Sequence, residues 1–244
     1  MSQVLELLAK GGPVIVPLVG LSILSVACGM ERSWFWWKTL QGEKLLVREI
    51  LSAAQEDLGK ARAIAEQAKH LPIGRFLLAA LRLNQPSPET FRLAMEAAGD
   101  REFVQMRKGD KILETVVAIA PLLGLLGTVT GLITTFFNLK IGGGGGNNID
   151  TSKAALGIAE ALITTAAGMV VAIIALAIYR VCVSLQSAQI DYFADVGTEL
   201  ELIYRQIWYE PRMEDRHQQE IKSNPASQDI VDQLSELLRR NLNN

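Results

Sequence analysis

The chain has 244 residues, a formal net charge of −2 and 49% hydrophobic residues, totals that a single soluble domain could also show. Its near-neutral charge gives no basic surface for nucleic acid, so no nucleic-acid partner is expected. The apolar residues, however, concentrate in three runs separated by polar segments, which is typical of membrane proteins. The sequence therefore predicts an all-α integral membrane protein with three transmembrane helices and long helices that extend into the cytoplasm.

The first predicted span covers residues 13–37 and follows an extracytoplasmic or interfacial segment, residues 1–12, with the spacing of a short amphipathic helix. The run Trp34-Phe35-Trp36-Trp37 is typical of aromatic side chains that anchor a span at the membrane interface. No basic start and small-residue cleavage site precede the span, so we expect it to be retained.

Residues 38–112 are rich in Ala, Leu, Glu and Arg with apolar residues at helical spacing, which predicts a helical cytoplasmic loop. Breaks at Pro72 and at residues 84–88 divide it into three expected helices. The last of these begins at Ser87 or Pro88, and we expect it to run through Lys111 into the membrane.

Two apolar stretches joined by a glycine-rich loop form the central feature of the sequence. The second span covers residues 113–139, and residues 116–139 contain no charge over about 24 positions, enough to cross a bilayer core. The third span covers residues 154–183. The extracytoplasmic loop at residues 140–153 contains five consecutive glycines; it lacks the Gly-Lys-Ser/Thr ending of a phosphate loop, which favours a flexible linker.

After the third span, residues 184–210 continue the helical pattern into the cytoplasm, and Pro211 is expected to end that helix. Residues 211–244 form a polar tail, with a short amphipathic helix expected at residues 229–242. Basic residues flank the spans on the side of the large loop and the tail, which places both in the cytoplasm and places the N-terminus and the glycine loop outside.

Small and hydroxylated residues lie on one face of each helix of the hairpin. Bulky apolar side chains gain no free energy by leaving lipid for a helix interface, whereas small and hydroxylated residues let helices approach and form hydrogen bonds. Such faces therefore indicate contact with protein or water. We therefore expect helix packing at the proline and glycines of these faces, which are Pro121, Gly124, Gly127, Gly131, Gly157 and Gly168.

Counting from the loop places Thr128 and Thr165 level with each other, about 18 Å deep, and Glu160 about 10 Å deep, opposite residues 133–135. An acid with hydroxyls beyond it predicts an ion path, with Thr135 and Thr164 as secondary lining residues. Two plainer interpretations stay open. Glu160 can be an anion at a helix N-terminus, and the threonines can serve helix packing alone.

Two blocks of the hairpin resemble the signature of the ExbB/TolQ/MotA proton-channel family: APLLGLLGTVTGL at residues 120–132 and GIAEALITTAAG at residues 157–168. The resemblance extends over residues 13–209, and the single helix before a large loop is similar to the three-span ExbB and TolQ branch, most like ExbB. The glycine loop departs from the more varied linker of that branch.

The resemblance implies a homo-pentamer around a central pore that holds a dimer of an ExbD- or TolR-like single-span partner. It further implies a TonB- or TolA-like energy transducer as a third component, surrounded by the lipids of the cell inner membrane. Glu160, Thr128 and Thr165 match the channel-lining acid and threonines of the family. The aspartate that carries protons in the family belongs to the partner's helix.

The expected function is therefore a proton-channel or stator subunit of an inner-membrane motor that uses proton motive force, with TonB-dependent transport across the outer membrane as the first expectation. The alternatives are a TolQ-like subunit of the Tol-Pal system and a non-conducting scaffold. An enzyme is not expected, because no nucleophile and base pair, phosphate loop or metal-ligand cluster appears. Catalytic residues, cofactors and metals are accordingly expected to be none.

Overall fold

The computed structural model describes residues 12–141 and 151–223, and the side chains of residues 12–137 and 154–219. Within these ranges the regular structure is helical throughout and contains no strand, which confirms the all-α prediction for this part of the chain. The expected surface helix at residues 1–10, most of the glycine loop and the expected helix at residues 229–242 lie outside the described residues.

The helices follow one another with short connections. In chain order they are α1 (Ile15–Leu40), α2 (Glu43–Glu56), α3 (Leu58–Gln67), α4 (Pro72–Leu81), α5 (Pro88–Met106), α6 (Asp110–Ile141), α7 (Thr151–Ile203), a π-helix (Tyr204–Tyr209) and α8 (Glu210–Ser223). Three of the helical stretches, those that contain α1, α6 and α7, are long and apolar enough to cross a membrane, as the sequence predicted.

Two helix boundaries were not predicted. Asp57 separates α2 from α3 and caps α3 by accepting a 2.7 Å hydrogen bond from the amide of Gly59, so the loop holds four helices rather than three. The expectation that the helix from Pro88 runs unbroken into the membrane is also wrong. Residues 107–109 form a turn, in which Gly109 has a φ of +92° that side-chain-bearing residues rarely adopt.

The chain divides into two compact units. The first comprises Met1–Gln41 and Phe103–Ile190 and contains the three spans. Its apolar core joins Leu18 of α1 to a valine and three alanines of α6 and α7, and its buried members are Leu18, Val116, Ala120, Ala172 and Ala175. Small side chains at this centre allow the three helix backbones to approach closely.

A buried polar junction in this unit lies at the turn between α5 and α6. The guanidinium of Arg32 on α1 and the amide of Gln186 on α7 both donate to the carbonyl of Met106, the second bond at 3.1 Å. Gln186 also donates a 2.7 Å bond to Asp110. Carbonyls at the end of a helix lack partners within it, so these two donors satisfy the end of α5 and stabilise the turn.

The second unit comprises Gly42–Glu102 and Asp191–Asn244. Its core contains two aromatic pairs: Phe91 stacks on Tyr204 with ring centroids 4.3 Å apart, and Phe76 lies 4.9 Å from Phe193. Arg75 on α4 makes two hydrogen bonds to the carboxylate of Glu102 on α5, one of them at 2.7 Å. This ion pair raises the pKa of Arg75, because the guanidinium is stabilised in its charged form.

The expectation that Pro211 ends the last long helix is wrong. A π-helical turn, Tyr204–Tyr209, precedes it, and α8 then continues from Glu210 through Ser223. A proline is tolerated in the first turn of a helix because its missing amide would have no partner there. The π-helix is held by Tyr204, whose hydroxyl donates 2.6 Å to the carbonyl of Pro86, and by Trp208, whose indole donates 2.8 Å to that of Ala54.

Candidate functional site

The α6–α7 seam, defined here by the small residues through which these two helices touch, organises the membrane unit. A methyl group added to Gly124 would lie 3.0 Å from the Cα of Thr165, and one added to Gly131 would lie 2.8 Å from the Cβ of Ala161. One added to Gly168 would lie 3.0 Å from the Cα of Gly124. The helices therefore approach so closely that side chains larger than hydrogen do not fit at these positions.

The remaining small residues of the sequence-predicted faces occupy the same seam or its edge. Gly127 packs against Thr164, and Gly157 packs against Thr135, in each case with the threonine side chain where a glycine Cβ would otherwise lie. Pro121 lies inside α6, half-buried. Thr164 and Thr135 are only 1% and 5% exposed, so both hydroxyls are enclosed within one chain.

Each enclosed hydroxyl is satisfied by a carbonyl of its own helix. Thr164 donates 2.7 Å to the carbonyl of Ala161, and Thr135 donates 2.9 Å to that of Gly131. These bonds satisfy polar groups that would be costly in an apolar medium. Thr164 faces the seam, whereas Thr135 also borders a cleft beside Glu160, and a lining role for either residue stays a prediction.

Thr165 makes the hydrogen bond that crosses the seam. Its hydroxyl donates 2.8 Å to the carbonyl of Gly124 on α6. In an α-helix that carbonyl also accepts from the amide four residues on, which here is Thr128. The hydroxyl of Thr165 therefore lies beside the backbone of Thr128. The Thr128 hydroxyl is half-exposed and donates 2.6 Å to the carbonyl of Leu125 instead.

Glu160 lies at the other end of the seam and is half-buried. It lines a cleft of about 340 Å³ together with residues of α6 and the start of α1, among them Thr130, Thr134, Gly12 and Pro13. Residues 134 and 135 of α6 also line this cleft, in the register that the sequence predicted for the position opposite Glu160. Thr128 and Thr165 do not line it, so the acid and this pair of threonines belong to different levels of the hairpin.

Sequence reasoning placed Thr134 in the turn opposite Glu160 but gave it no role, and it did not identify Thr130 as a neighbour of that acid. The hydroxyls of Thr130 and Thr134 donate to the carbonyls of Leu126 and Thr130 at 3.0 and 2.9 Å. A signal was present: on a helical wheel Thr134 lies about 20° from Gly127, just outside the arc that the other small residues span. The contribution of Gly12 and Pro13 to the cleft had no sequence signal, because it depends on how α1 packs.

The bulky faces of both helices are open to the surroundings. The large side chains that are exposed on α6 and α7 include Leu122, Leu125, Leu126, Val129, Ile133, Phe136, Phe137, Leu162, Met169, Val170 and Ile173. Apolar side chains of this size on a helix long enough to span a membrane are the expected surface toward lipid or toward further membrane helices.

Comparison with known proteins gives the same result as the hairpin motifs. The sequence profile of the family described as "MotA/TolQ/ExbB proton channel family" matches residues 68–195. The chain is 65% identical to the "Putative biopolymer transport protein ExbB-like 1" of Synechocystis sp., over 86% of this chain and 82% of that protein.

More distant relatives fall in both branches that the resemblance suggested. A second Synechocystis sp. protein, "Putative biopolymer transport protein ExbB-like 3", is 36% identical over 82% of this chain and 95% of its own length. The "Tol-Pal system protein TolQ" of Haemophilus influenzae is 30% identical over 79% of this chain and 88% of its own length.

Proposed function

The chain belongs to the MotA/TolQ/ExbB proton channel family, and we propose that it is the channel subunit of an inner-membrane motor driven by proton motive force. The family is one of multi-pass membrane channels and transport subunits, not of enzymes, and the three apolar helices agree with that class. The proposal goes further by assigning the proton path to Glu160, Thr128 and Thr165.

The placement of Glu160 is the observation that carries this proposal. It is the one acid of residues 154–183, and it lies in a cleft beside the hydroxyls of Thr130 and Thr134. A carboxylate within a membrane span is costly unless water or polar groups surround it, and such residues commonly mark ion pathways. The plainer interpretation, an anion near a helix N-terminus, does not account for the hydroxyls that share the cleft.

The half-exposed hydroxyl of Thr128 and the seam bond of Thr165 support a second polar level deeper in the hairpin. Thr165 fixes the seam through Gly124, and its position beside the backbone of Thr128 brings the two residues to one height. We propose that Thr128 lines the path directly, whereas Thr165 holds α6 and α7 in the register that presents Thr128.

A partner chain is needed for this function. Beyond Glu114, at the start of the second span, residues 115–139 contain no acid, so the interior of the hairpin offers one carboxylate, Glu160, to a proton that must cross the whole membrane. We propose that five copies of the chain surround a dimer of an ExbD- or TolR-like single-span partner that supplies an intramembrane aspartate. Each charge moved across 100 mV provides about 2.3 kcal/mol, so several protons could drive one mechanical step.

We assign the motor to energised transport across the outer membrane through a TonB-like transducer. The two Synechocystis relatives described as ExbB-like biopolymer transport proteins support this assignment. The similarity to a TolQ protein supports the second candidate, a subunit of a Tol-Pal envelope system that acts through a TolA-like protein. Copurification from native membranes separates them, because the chain should retain a TonB-like protein in the first case and a TolA-like protein in the second.

A non-conducting scaffold is the third candidate, and the buried hydroxyl of Thr164, which is bonded within its own helix, favours it. The test is proton flux into liposomes that hold the chain copurified with its single-span partner, under an imposed potential. We expect flux in the wild type and its loss in Glu160→Ala with assembly intact. Glu114→Ala, at an exposed acid of α6, is the control and should conduct normally.

Unchanged flux in Glu160→Ala would remove Glu160 from the mechanism. A fully assembled wild-type complex that conducts no protons at any imposed potential, with or without the energy transducer, would instead establish the scaffold.

A further inference from the structure

The cleft beside Glu160 is lined in part by polar side chains, to which lipid acyl chains cannot form hydrogen bonds. It has a volume of about 340 Å³ and contains the carboxylate-bearing side chain of Glu160 and the side chains of Thr130 and Thr134. A single water occupies about 30 Å³ of liquid volume, so the cleft has room for several waters. Acyl chains offer no hydrogen bonds to these oxygens, whereas water does, so hydration is the lower-energy filling.

The two hydroxyls are arranged as acceptors. Thr134 donates its hydrogen to the carbonyl of Thr130, and Thr130 donates its own to the carbonyls of Leu126 and Gly127. A threonine oxygen that has donated its hydrogen keeps its lone pairs, so each can accept a hydrogen bond from water. Thr130 and Thr134 are four residues apart and therefore lie one helical turn, about 6 Å, apart along α6.

The position of the cleft points to the outer side of the membrane. Glu160 lies nine residues after Thr151, the start of α7, or about 13 Å along the helix. Gly12 and Pro13 lie just before α1 and form part of the wall, so the cleft is bounded by the same ends of all three spans. In the proposed topology these ends face outward.

We propose that this cleft is a water-filled access route within a single subunit, through which protons from the extracytoplasmic side reach Glu160, with Thr130 and Thr134 as its hydroxyl lining. The hydration of the cleft stands on its geometry; the assignment to protons rests on the proposed function. The route is separate from the level of Thr128 and Thr165, which the cleft does not reach.

Cysteine accessibility tests the water. Thr130→Cys and Thr134→Cys are nearly isosteric changes, and a membrane-impermeant cationic methanethiosulfonate reagent reacts with the thiolate that forms only in contact with water. Ile133→Cys, adjacent in sequence and on the exposed apolar face of α6, is the matched control. Both native cysteines, Cys28 and Cys182, are buried, and the unsubstituted chain measures their background.

The reagent is added to spheroplasts that carry the assembled full-length complex, so that only the extracytoplasmic side is exposed. We expect Thr134→Cys and Thr130→Cys to react at least about tenfold faster than Ile133→Cys, because thiols in hydrocarbon stay protonated. Glu114→Cys should react only after the membrane is permeabilised, which verifies the sidedness of the assay.

Equal, slow labelling of all three α6 variants in assembled complexes would overturn the water-filled cleft, even if flux still depended on Glu160. Fast labelling from outside supports it, and blocking the labelled Thr134→Cys complex should then lower flux at least fivefold. Fast labelling combined with flux that is indifferent both to Glu160→Ala and to the block would overturn the proton assignment and the proposed function together, leaving a hydrated cleft of no transport role.

Discussion

The hydroxyl of Thr165 on α7 donates a 2.8 Å hydrogen bond to the carbonyl of Gly124 on α6, two residues 41 positions apart in the chain. Close approach makes this bond possible, because a side chain at residue 124 would collide with the backbone of α7. The α6–α7 seam is thus held by packing of small residues and by this bond between the two helices.

Removal of the Thr165 hydroxyl should weaken the seam. Thr165→Val keeps the shape and loses the bond, and the cost is about 1 kcal/mol, in line with hydrogen bonds between membrane helices. Thr165→Ser should stay close to the wild type. Thr128→Val loses only a bond within α6 and should leave stability nearly unchanged.

Thermal unfolding of the purified complex measures the loss of stability in Thr165→Val. Proton flux into liposomes measures whether Thr128 and Thr165 contribute to the proton path. We expect lower flux in both valine variants, because one removes a lining hydroxyl and the other loosens its support. If both valine variants conduct like the wild type, the polar path does not run through this level.

Gly131→Ala should be tolerated only together with Ala161→Gly. Gly131→Ala brings its new methyl within 2.8 Å of the Ala161 Cβ, which should destabilise the chain by about 1–3 kcal/mol through overpacking. Ala161→Gly removes the colliding atom, so the double variant should recover much of the loss. Gly20→Ala is the control, since no heavy atom lies within 4 Å of that position.

Thermal stability of the four variants in one detergent decides this prediction. A Gly131→Ala chain as stable as Gly20→Ala, or a double variant no more stable than Gly131→Ala, would mean that α6 and α7 are not in contact at these residues.

The polar junction should depend on Gln186. Gln186→Leu deprives the half-buried carboxyl of Asp110 of its 2.7 Å donor, and a buried polar group left without a partner costs about 1–3 kcal/mol. In Gln186→Leu/Asp110→Leu both partners are apolar, so the double variant should lose less than the sum of the single changes. Ser187→Ala, at the exposed neighbouring position, should be neutral.

A double-mutant cycle from thermal unfolding measures this coupling. Strictly additive losses would show that Gln186 and Asp110 do not interact in the folded chain.

The ion pair of Arg82 with Glu66 should stabilise the fold only at pH values where Glu66 is ionised. The hydrogen bonds from Arg82 lower the pKa of Glu66 below its ordinary value of 4.5. A carboxyl with a lowered pKa stabilises the fold above its unfolded pKa, and this contribution is lost as the pH falls through the folded pKa. Arg82→Gln should therefore destabilise the chain slightly at pH 7, and the difference should shrink toward pH 3.

The stability of the wild-type and Arg82→Gln complexes, measured from pH 7 to pH 3, checks the direction of this change. The difference should be small because both side chains are exposed. In a Glu66→Gln background, Arg82→Gln should have the same effect at every pH. A difference that grows on acidification would contradict the assigned cause.

Much of the membrane unit could be predicted from sequence because the lipid solvent imposes simple demands. Three apolar runs of sufficient length predicted three spans, and the small residues at Gly124, Gly131 and Gly168 marked the faces where backbones touch. Antiparallel counting from the glycine loop placed Glu160 opposite residues 133–135, and residues 134 and 135 share its cleft. The motifs at residues 120–132 and 157–168 predicted the family, and the comparisons confirmed it.

Tertiary structure decided what depends on partners far along the chain. The turn at residues 107–109 interrupts a sequence that favours helix, and it is stabilised by Arg32 and Gln186, which donate to Met106 from α1 and α7. Likewise, the helix continues past Pro211 after a π-helical turn whose Tyr204 and Trp208 bond to carbonyls more than 100 residues earlier. Gly109 is a local signal for the first break, but the donors that stabilise that turn and the carbonyls that hold the π-helical turn lie far away in sequence.

At the candidate site, too, the sequence identified some residues and the tertiary structure decided what surrounds them. Glu160 stands out in the sequence because a charge in a span is rare and costly, and Thr128 and Thr165 stand out by their matched depth. Their surroundings were decided by packing: Thr164 is enclosed in the seam, whereas Thr130, Thr134 and Thr135 share a cleft with Glu160. The sequence determined which helices cross the membrane and which residue carries the charge; the close contact of α1, α6 and α7 decided which hydroxyls surround it, because a rotation of a few tens of degrees exchanges one threonine for the next.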